Sequence, residues 1–256
     1  MGKRGQVTAF VIIAALIIII GVVLYFVFPS VKVAITSDQS PHQFLASCLK
    51  PQLEYAISTL EKQGGYLAPE GFVVYNNTPI KFLCYTSEYF RSCVVQQPAL
   101  LSHLQKEIKS HISSSARDCY DALKEEFESR GYRVSKSGEP SVEVSIVPDR
   151  VEVSTDFPVT LSKEASTNVG EVKIAKESGL YDFAILATSI VRLESSLGNA
   201  DTTLYSRLYP NIIVEKVTLG SEGASAKIYT IKNVVTGESF RFATRSQVWA
   251  PGYGLS

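Results

Sequence analysis

From Val7 to Phe28 the chain carries no charged residue, and Val, Ile, Leu, Ala and Phe fill most of the 22 positions. At about 1.5 Å of rise per residue, such a run reaches roughly 33 Å, enough to cross a hydrocarbon core of about 30 Å. It is apolar on every face, which predicts a membrane-crossing helix rather than a core helix with one buried stripe. Pro29 ends or kinks it.

Beyond the polar linker Ser37-Asp38-Gln39-Ser40-Pro41 the pattern becomes amphipathic. Phe44, Leu45, Cys48, Leu49, Leu53, Ala56, Ile57 and Leu60 recur at the three-to-four spacing of a helix with one buried face. Pro51 predicts a kink near residues 48–50, and Gly64-Gly65 a stop. Phe72–Tyr75 and Ile80–Tyr85 read as short strands joined by Asn76-Asn77-Thr78-Pro79. Pro98 suits the first turn of a second, longer helix. Its inner face runs Leu101, Leu104, Ile108, Ile112, Cys119, Leu123, Phe127, and Gly131 ends it.

The period then drops to two. Val142, Val144 and Ile146 alternate with polar residues, Pro148-Asp149 makes a turn, and Val151 and Val153 alternate again, which predicts a half-buried hairpin. Phe157–Leu161 and Val172–Ala175 extend it into a meander. A helix follows over Leu180–Leu197 with Phe183, Ala187, Ile190, Val191 and Leu197 inward, then a further helical turn at Leu204–Tyr209. Strands return at Ile212–Leu219, Lys227–Val235 and Ser239–Thr244, the last after a Thr236-Gly237 turn. The Gly-rich stretch Trp249–Ser256 reads as extended.

Charge sets the orientation of this plan. Lys3 and Arg4 precede the apolar run and the next ionisable group of the polar flank is Lys32, so the basic cluster stays cytoplasmic and the bulk of the chain lies outside. Of 25 basic residues, removing those two leaves 23 against 25 acidic, a net of −2 for the remainder. A near-neutral ectodomain lacks the basic footprint of nucleic-acid binding.

The four cysteines, Cys48, Cys84, Cys93 and Cys119, are an even set in a domain expected to be exported, where disulfides form. Three pairings exist. Cys84–Cys93 closes a short loop, and Cys48–Cys119 joins two apolar helical faces; this is the favoured combination. Zinc is the competing reading, although the spacing lacks the two close pairs of a zinc ribbon.

The leader carries a resemblance. Lys3-Arg4-Gly5-Gln6-Val7-Thr8 places a basic pair, a glycine and a polar residue before a long apolar helix, and it resembles the class III signal of archaeal type IV pilins and archaellins. The resemblance covers about the first 25 residues. It implies cleavage between Gly5 and Gln6 by a prepilin-peptidase-like membrane enzyme, leaving the helix as the new N-terminus. Glycine fits a protease cleft because it brings no side chain to clash. Phe10 stands near where bacterial pilins carry a glutamate, which argues against bacterial-style assembly. An uncleaved signal anchor is the alternative. The whole chain, with Gln63-Gly64-Gly65-Tyr66 ending its first cysteine-bearing helix, also resembles uncharacterised predicted surface proteins of small-genome archaea.

Candidate chemistry is sparse. His103, Glu107 and His111 fall on one helical stripe, but the two histidines lie two turns apart, roughly 12 Å, so one ion cannot take all three. A solvated polar face accounts for them more simply, and solvation likewise for Glu125 and Glu126. No Gly-x-Ser-x-Gly elbow, His-Glu-x-x-His motif or phosphate-binding glycine loop occurs. Asn76-Asn77-Thr78 is the one N-glycosylation sequon. Tyr85, Tyr89 and Phe90 cluster at the Cys84–Cys93 loop, a composition suited to a contact surface as well as to core packing.

The sequence thus predicts an α+β protein: one N-terminal transmembrane helix, then an extracytoplasmic domain with two amphipathic helices and antiparallel hairpins or a meander. The segments are a basic cytoplasmic leader (1–5), the transmembrane or pilin-like helix and linker (6–36), a mainly helical disulfide-stapled subregion (37–131) and a mixed one (132–256), sharing one core. The expectation is a non-enzymatic cell-surface protein, structural or adhesive, with no cofactor or bound metal. Its partners would be the lipid bilayer and copies of itself in an oligomer or filament. The alternatives are a solitary anchored ectodomain that binds an envelope component, and an exported enzyme of unfamiliar site.

Overall fold

The computed structural model describes residues 39–220 and 226–247. The leader residues Lys3, Arg4, Gly5 and Gln6, the apolar run Val7–Phe28, Pro29, Ser37 and Asp38 of the linker and the Trp249–Ser256 tail lie outside them. Residues 1–40 and 41–256 separate as two units. Among the described residues no helix is long and apolar enough to cross a membrane.

The described part is mixed α and β. In chain order it runs α1 (Pro41–Lys62), β1 (Phe72–Tyr75), β2 (Thr78–Tyr85), β3 (Val94–Val95), α2 (Leu100–Ser129), β4 (Arg133–Lys136), β5 (Ser141–Val147), β6 (Arg150–Ser162) and β7 (Ser166–Glu177). It continues with α3 (Leu180–Leu197), α4 (Thr202–Leu208), β8 (Ile212–Leu219), β9 (Ala226–Asn233) and β10 (Ser239–Arg245).

Two sheets form. One has the order β1-β2-β10-β9-β8, with β3 pairing β2. All its pairs are antiparallel except β2 with β10, which run parallel. The other is built on β6: β7 lies along one side, and β5 and β4 succeed each other along the opposite side. Pro158 sits inside β6 at a register shift against β7, where a missing donor does least harm. Its carbonyl accepts from the Tyr120 hydroxyl at 2.7 Å and from Ser137 N–H at 2.9 Å.

One continuous core takes residues from α1, α2, α3 and both sheets, so the helical and mixed subregions share it. α1 runs unbroken through Pro51 and packs on α2, β7 and β10. The Gln63-Gly64-Gly65-Tyr66 segment explains the stop after it. Gly65 N–H donates back to Leu60 O at 2.8 Å, and its φ of 87° is a left-handed value that glycine reaches without penalty. A Cβ on Gly65 would lie 3.0 Å from Leu104 Cδ2, so the chain crosses α2 there at the closest approach its packing permits.

Several expectations change. Leu197 is 64% exposed rather than inward, because the last inward position of α3 is taken by Glu194. Leu101 is only half-buried; Leu100, Ala116 and Tyr120 complete the inner face instead. Pro98 precedes α2 in a turn rather than opening it. The short strands β3 and β4 were not predicted.

Glu194 has no exposed surface. Its carboxylate accepts from Lys227 Nζ at 2.9 Å, from Ala200 N–H at 3.3 Å and from the Tyr229 hydroxyl. Burial first, and that hydrogen bond second, hold the Tyr229 phenol above its ordinary range. The cluster ties the end of α3 to β9.

Candidate contact surface

Both disulfides join the cysteines that helical phase and loop closure had favoured. Cys48 and Cys119 link α1 to α2 with Cα atoms 6.0 Å apart, and Cys84 and Cys93 close the loop between β2 and β3 at 5.3 Å. The described residues contain no free cysteine.

The loop is fixed at its base rather than hanging from the sheet. Thr86 N–H donates to Arg245 O at 3.0 Å, which continues the parallel pairing of β2 with β10. Cys93 N–H donates to Ser246 Oγ at 3.1 Å, and that hydroxyl donates onward to Glu194 O at 3.0 Å. Gln247 N–H donates to Arg91 O at 2.6 Å. The loop is therefore pinned to β10 and to the end of α3 at once.

On this base the loop holds aromatic side chains outward. Tyr89 is 43% and Phe90 55% exposed. Phe90 has φ of 58°, a left-handed conformation that costs a bulky residue about 1–2 kcal/mol and persists only where the surroundings hold it. Arg91 pairs with Glu88 at 3.0 Å across the tip. Tyr85 separates from the other two. It lies half-buried at the end of β2, its hydroxyl accepting from Arg245 at 3.1 Å beneath that guanidinium.

The sheet extends the patch. β1 and β3 both flank β2 on the side away from β10. Along that edge Phe72, Val74 and Val94 are also exposed, Val94 at 68%. Five large apolar side chains are thus exposed on β1, on β3 and on the loop between β2 and β3. The sequence pointed to the loop aromatics; the β1 and β3 members follow only from pairing.

The His103, Glu107 and His111 stripe is not a solvated face. His103 stacks on Tyr66 with ring centroids 4.1 Å apart, and His111 lies 5.5 Å from the ring of Tyr55. Glu107 is occupied as the acceptor of Leu67 N–H at 3.0 Å and stands 4.0 Å from His103 Nε2. The Nε2 atoms of both histidines are buried without a partner, and burial holds both imidazoles below their ordinary pKa. Tyr66 and Leu67, in the segment that follows α1, and Tyr55 of α1 lie against this stripe where solvent was expected. Among the described residues no group of three or more His, Cys, Asp or Glu has a metal-holding arrangement.

A second polar site was not foreseen. A depression of about 270 Å³ at the start of α3 is lined by Asp149, Glu177, Asp182 and Glu238 with Arg150. Glu238 accepts from Gly179 N–H at 3.1 Å. Beside it Glu61 lies 3.5 Å from Ser178 Oγ, and burial, with Glu238 adding to it, raises the Glu61 carboxyl to about 7. Asn76, at the sequon, is exposed on its turn.

Comparison with protein families, with curated proteins and with solved structures finds no match to this chain.

Proposed function

We propose that this chain is a membrane-anchored or pilin-like cell-surface protein with a structural or adhesive role, held by the Val7–Phe28 helix and meeting its partners through the 84–93 loop. The observation that carries the reading is the pair of closed disulfides in a domain that follows an uninterrupted apolar run. Disulfides persist in oxidising compartments and are rare in the cytosol. The run supplies the membrane anchor, and Lys3-Arg4 before it supplies the inward-facing flank.

The adhesive part rests on the pinned loop. Rigid, outward-facing aromatics lose little conformational freedom on binding, and Tyr is among the residues enriched at the centres of interfaces. In the pilin-like form a peptidase cuts between Gly5 and Gln6, and the freed helix packs with copies of itself, burying the same apolar surface that lipid would cover. The solitary anchored form keeps the leader.

Mass spectrometry of protein purified from its native membranes separates these forms. A chain starting at Gln6 supports the pilin-like form, and an intact start supports the anchor. Protease added to whole cells tests the reading as a whole: residues 41–256 should be degraded from outside. Protection until the cells are opened would overturn it.

A further inference from the structure

We infer that the outer face of the β1-β2-β10-β9-β8 sheet docks on the outer face of the β6-centred sheet of a second copy of this chain, so that copies associate head to tail. The first face is apolar with cations set into it. Ile80, Ile228 and Ala243 form a small core there, none more than 1% exposed, and the half-buried neighbours of this core come only from strands of the same sheet. Arg241 lies over the Tyr75 ring at 5.6 Å, and its Nε donates to Thr230 Oγ1 at 3.4 Å. Arg245 lies over Tyr85 at 5.5 Å and donates to its hydroxyl at 3.1 Å. A guanidinium stacked in this way keeps a planar edge of donors for a carboxylate. Among the ion pairs of the described residues, neither arginine has one. By alternation Lys232 and Glu215 share the face and pair with each other at 2.7 Å. Three cations against one carboxylate leave it at a net of +2.

The second face has the opposite sign. Over residues 141–147, 150–156 and 171–177, the buried Val142, Ile146, Val151, Val153 and Ile174 point to the core. The alternate positions turn Glu143, Glu152, Asp156, Glu171 and Glu177 outward, with Arg150 and Lys173. Five carboxylates against two cations give a net of −3. Both cations are already taken, Arg150 by Glu152 and Lys173 by Glu171. Glu143, Asp156 and Glu177 are exposed and have no ion pair among the described residues. The small side chains Ser145, Ser154 and Ala175 line a hollow of about 390 Å³ on this face. It offers a recess to the exposed Val94, Ile213 and Val217 of the first face. Four positions separate Arg241 from Arg245 on β10, and four separate Glu152 from Asp156 on β6, about 13 Å in each case. Like faces repel, so the favoured contact is between unlike ones. Such a contact is heterologous: each copy keeps one face of each sign, and association continues as a ring or a filament. It requires neither cleavage after Gly5 nor adhesion through the 84–93 loop, so it stands or falls apart from the proposed function.

The test is sedimentation of the full chain in a nonionic detergent, with micelles in large excess so that N-terminal helices of different copies rarely share one. Salt sets the contrast, because the screening length is about 30 Å at 0.01 M and about 3 Å at 1 M. The wild-type particle mass should at least double at the lower salt. Arg241→Glu/Arg245→Glu makes both faces acidic, and Glu143→Lys/Asp156→Lys reverses the second face. Each variant alone should stay single at both salts, with circular dichroism and both disulfides unchanged. Mixed in equal amounts they should regain the low-salt association, since each then offers the charge that the other has lost. If the arginine variant fails to fold, Glu143→Lys/Asp156→Lys decides alone, because it changes only exposed side chains. Single wild-type particles at low salt, association that persists at high salt, or a mixture that stays single would overturn the inference. So would association lost in the arginine variant but kept in the other, since a different surface would then face Arg241 and Arg245.

Discussion

The ammonium of Lys227 lies 2.9 Å from the carboxylate of Glu194, whose side chain has no exposed surface. Glu194 falls on the inward stripe of α3, where a charge is tolerable only if paired and hydrogen-bonded. Removing its counter-ion leaves Tyr229 and Ala200 as donors but no compensating charge. Lys227→Met should therefore lower the unfolding free energy by about 3–5 kcal/mol in urea titrations. The double variant Glu194→Leu/Lys227→Met should recover most of that loss, because neither charge remains to be buried. A single variant as stable as the parent would show that the carboxylate is not held as a buried ion.

The Cys48–Cys119 bond closes a loop with a sequence separation of 71. In the chain-entropy account, constraining that much unfolded chain stabilises the fold by about 4 kcal/mol, against about 3 kcal/mol for the short Cys84–Cys93 loop. Cys48→Ala/Cys119→Ala should thus depress the melting temperature more than Cys84→Ala/Cys93→Ala. The second pair, however, should be the one that releases the loop, seen as faster amide exchange at residues 86–92. Equal effects on both readouts would contradict this division of labour.

Local periodicity explains how far the sequence could be read. Leu180–Leu197 is bounded as its three-to-four spacing indicates, and the Val142–Val153 hairpin turns at Pro148-Asp149, where Asp149 has φ of 66°. Parallel pairing of β2 with β10 joins residues some 160 positions apart and leaves no trace in either segment's own pattern. The same holds for β3 and β4, which are two and four residues long and exist through their partners. Of the candidate contact surface, Tyr89 and Phe90 were legible through the cysteines that bracket them. Phe72 and Val74 were not, since alternation assigns a face to a residue but cannot say that the strand is at an edge. Glu194 did leave a signal: a carboxylate three and four places beyond Val191 and Ile190 on an apolar stripe.

Asn76 and Asn77 both have positive φ, 49° and 59°, the signature of a tight hairpin turn in which Asn and Gly are the favoured residues. Asn77→Gly should leave stability nearly unchanged, whereas Asn77→Val should lower it by about 1–2 kcal/mol, read from thermal melts. Each retains Asn76 and Thr78, so any glycan at Asn76 should survive both changes and vanish with Asn76→Gln. Equal melting temperatures for the Gly and Val variants would show that this turn relaxes to another conformation.

Glu61 and the two half-buried histidines pull stability in opposite directions with pH. The Glu61 carboxyl is raised from 4.5 to about 7 by burial and then by Glu238, against smaller opposing effects of Ser178, Lys62 and Lys176. Between those values the folded chain keeps a proton that the unfolded chain has released, so stability falls as pH rises through the window. His103 and His111 are held below 6.5 by burial, with Glu107 opposing and Lys106 and Lys81 adding for His103. There the unfolded chain takes up the proton first, so stability falls as pH drops below 6.5. In the overlap the two trends offset. Glu61→Gln should remove one of them: the variant should lose stability from pH 7 down to pH 5 more steeply than the parent. At pH 8 it should gain up to about 3 kcal/mol, the linkage equivalent of the raised carboxyl. His103→Gln/His111→Gln should do the reverse, leaving stability that rises as the solution is acidified toward pH 5. Urea midpoints at half-unit pH steps give all three profiles. Parallel curves would mean that none of these groups changes its proton affinity on folding.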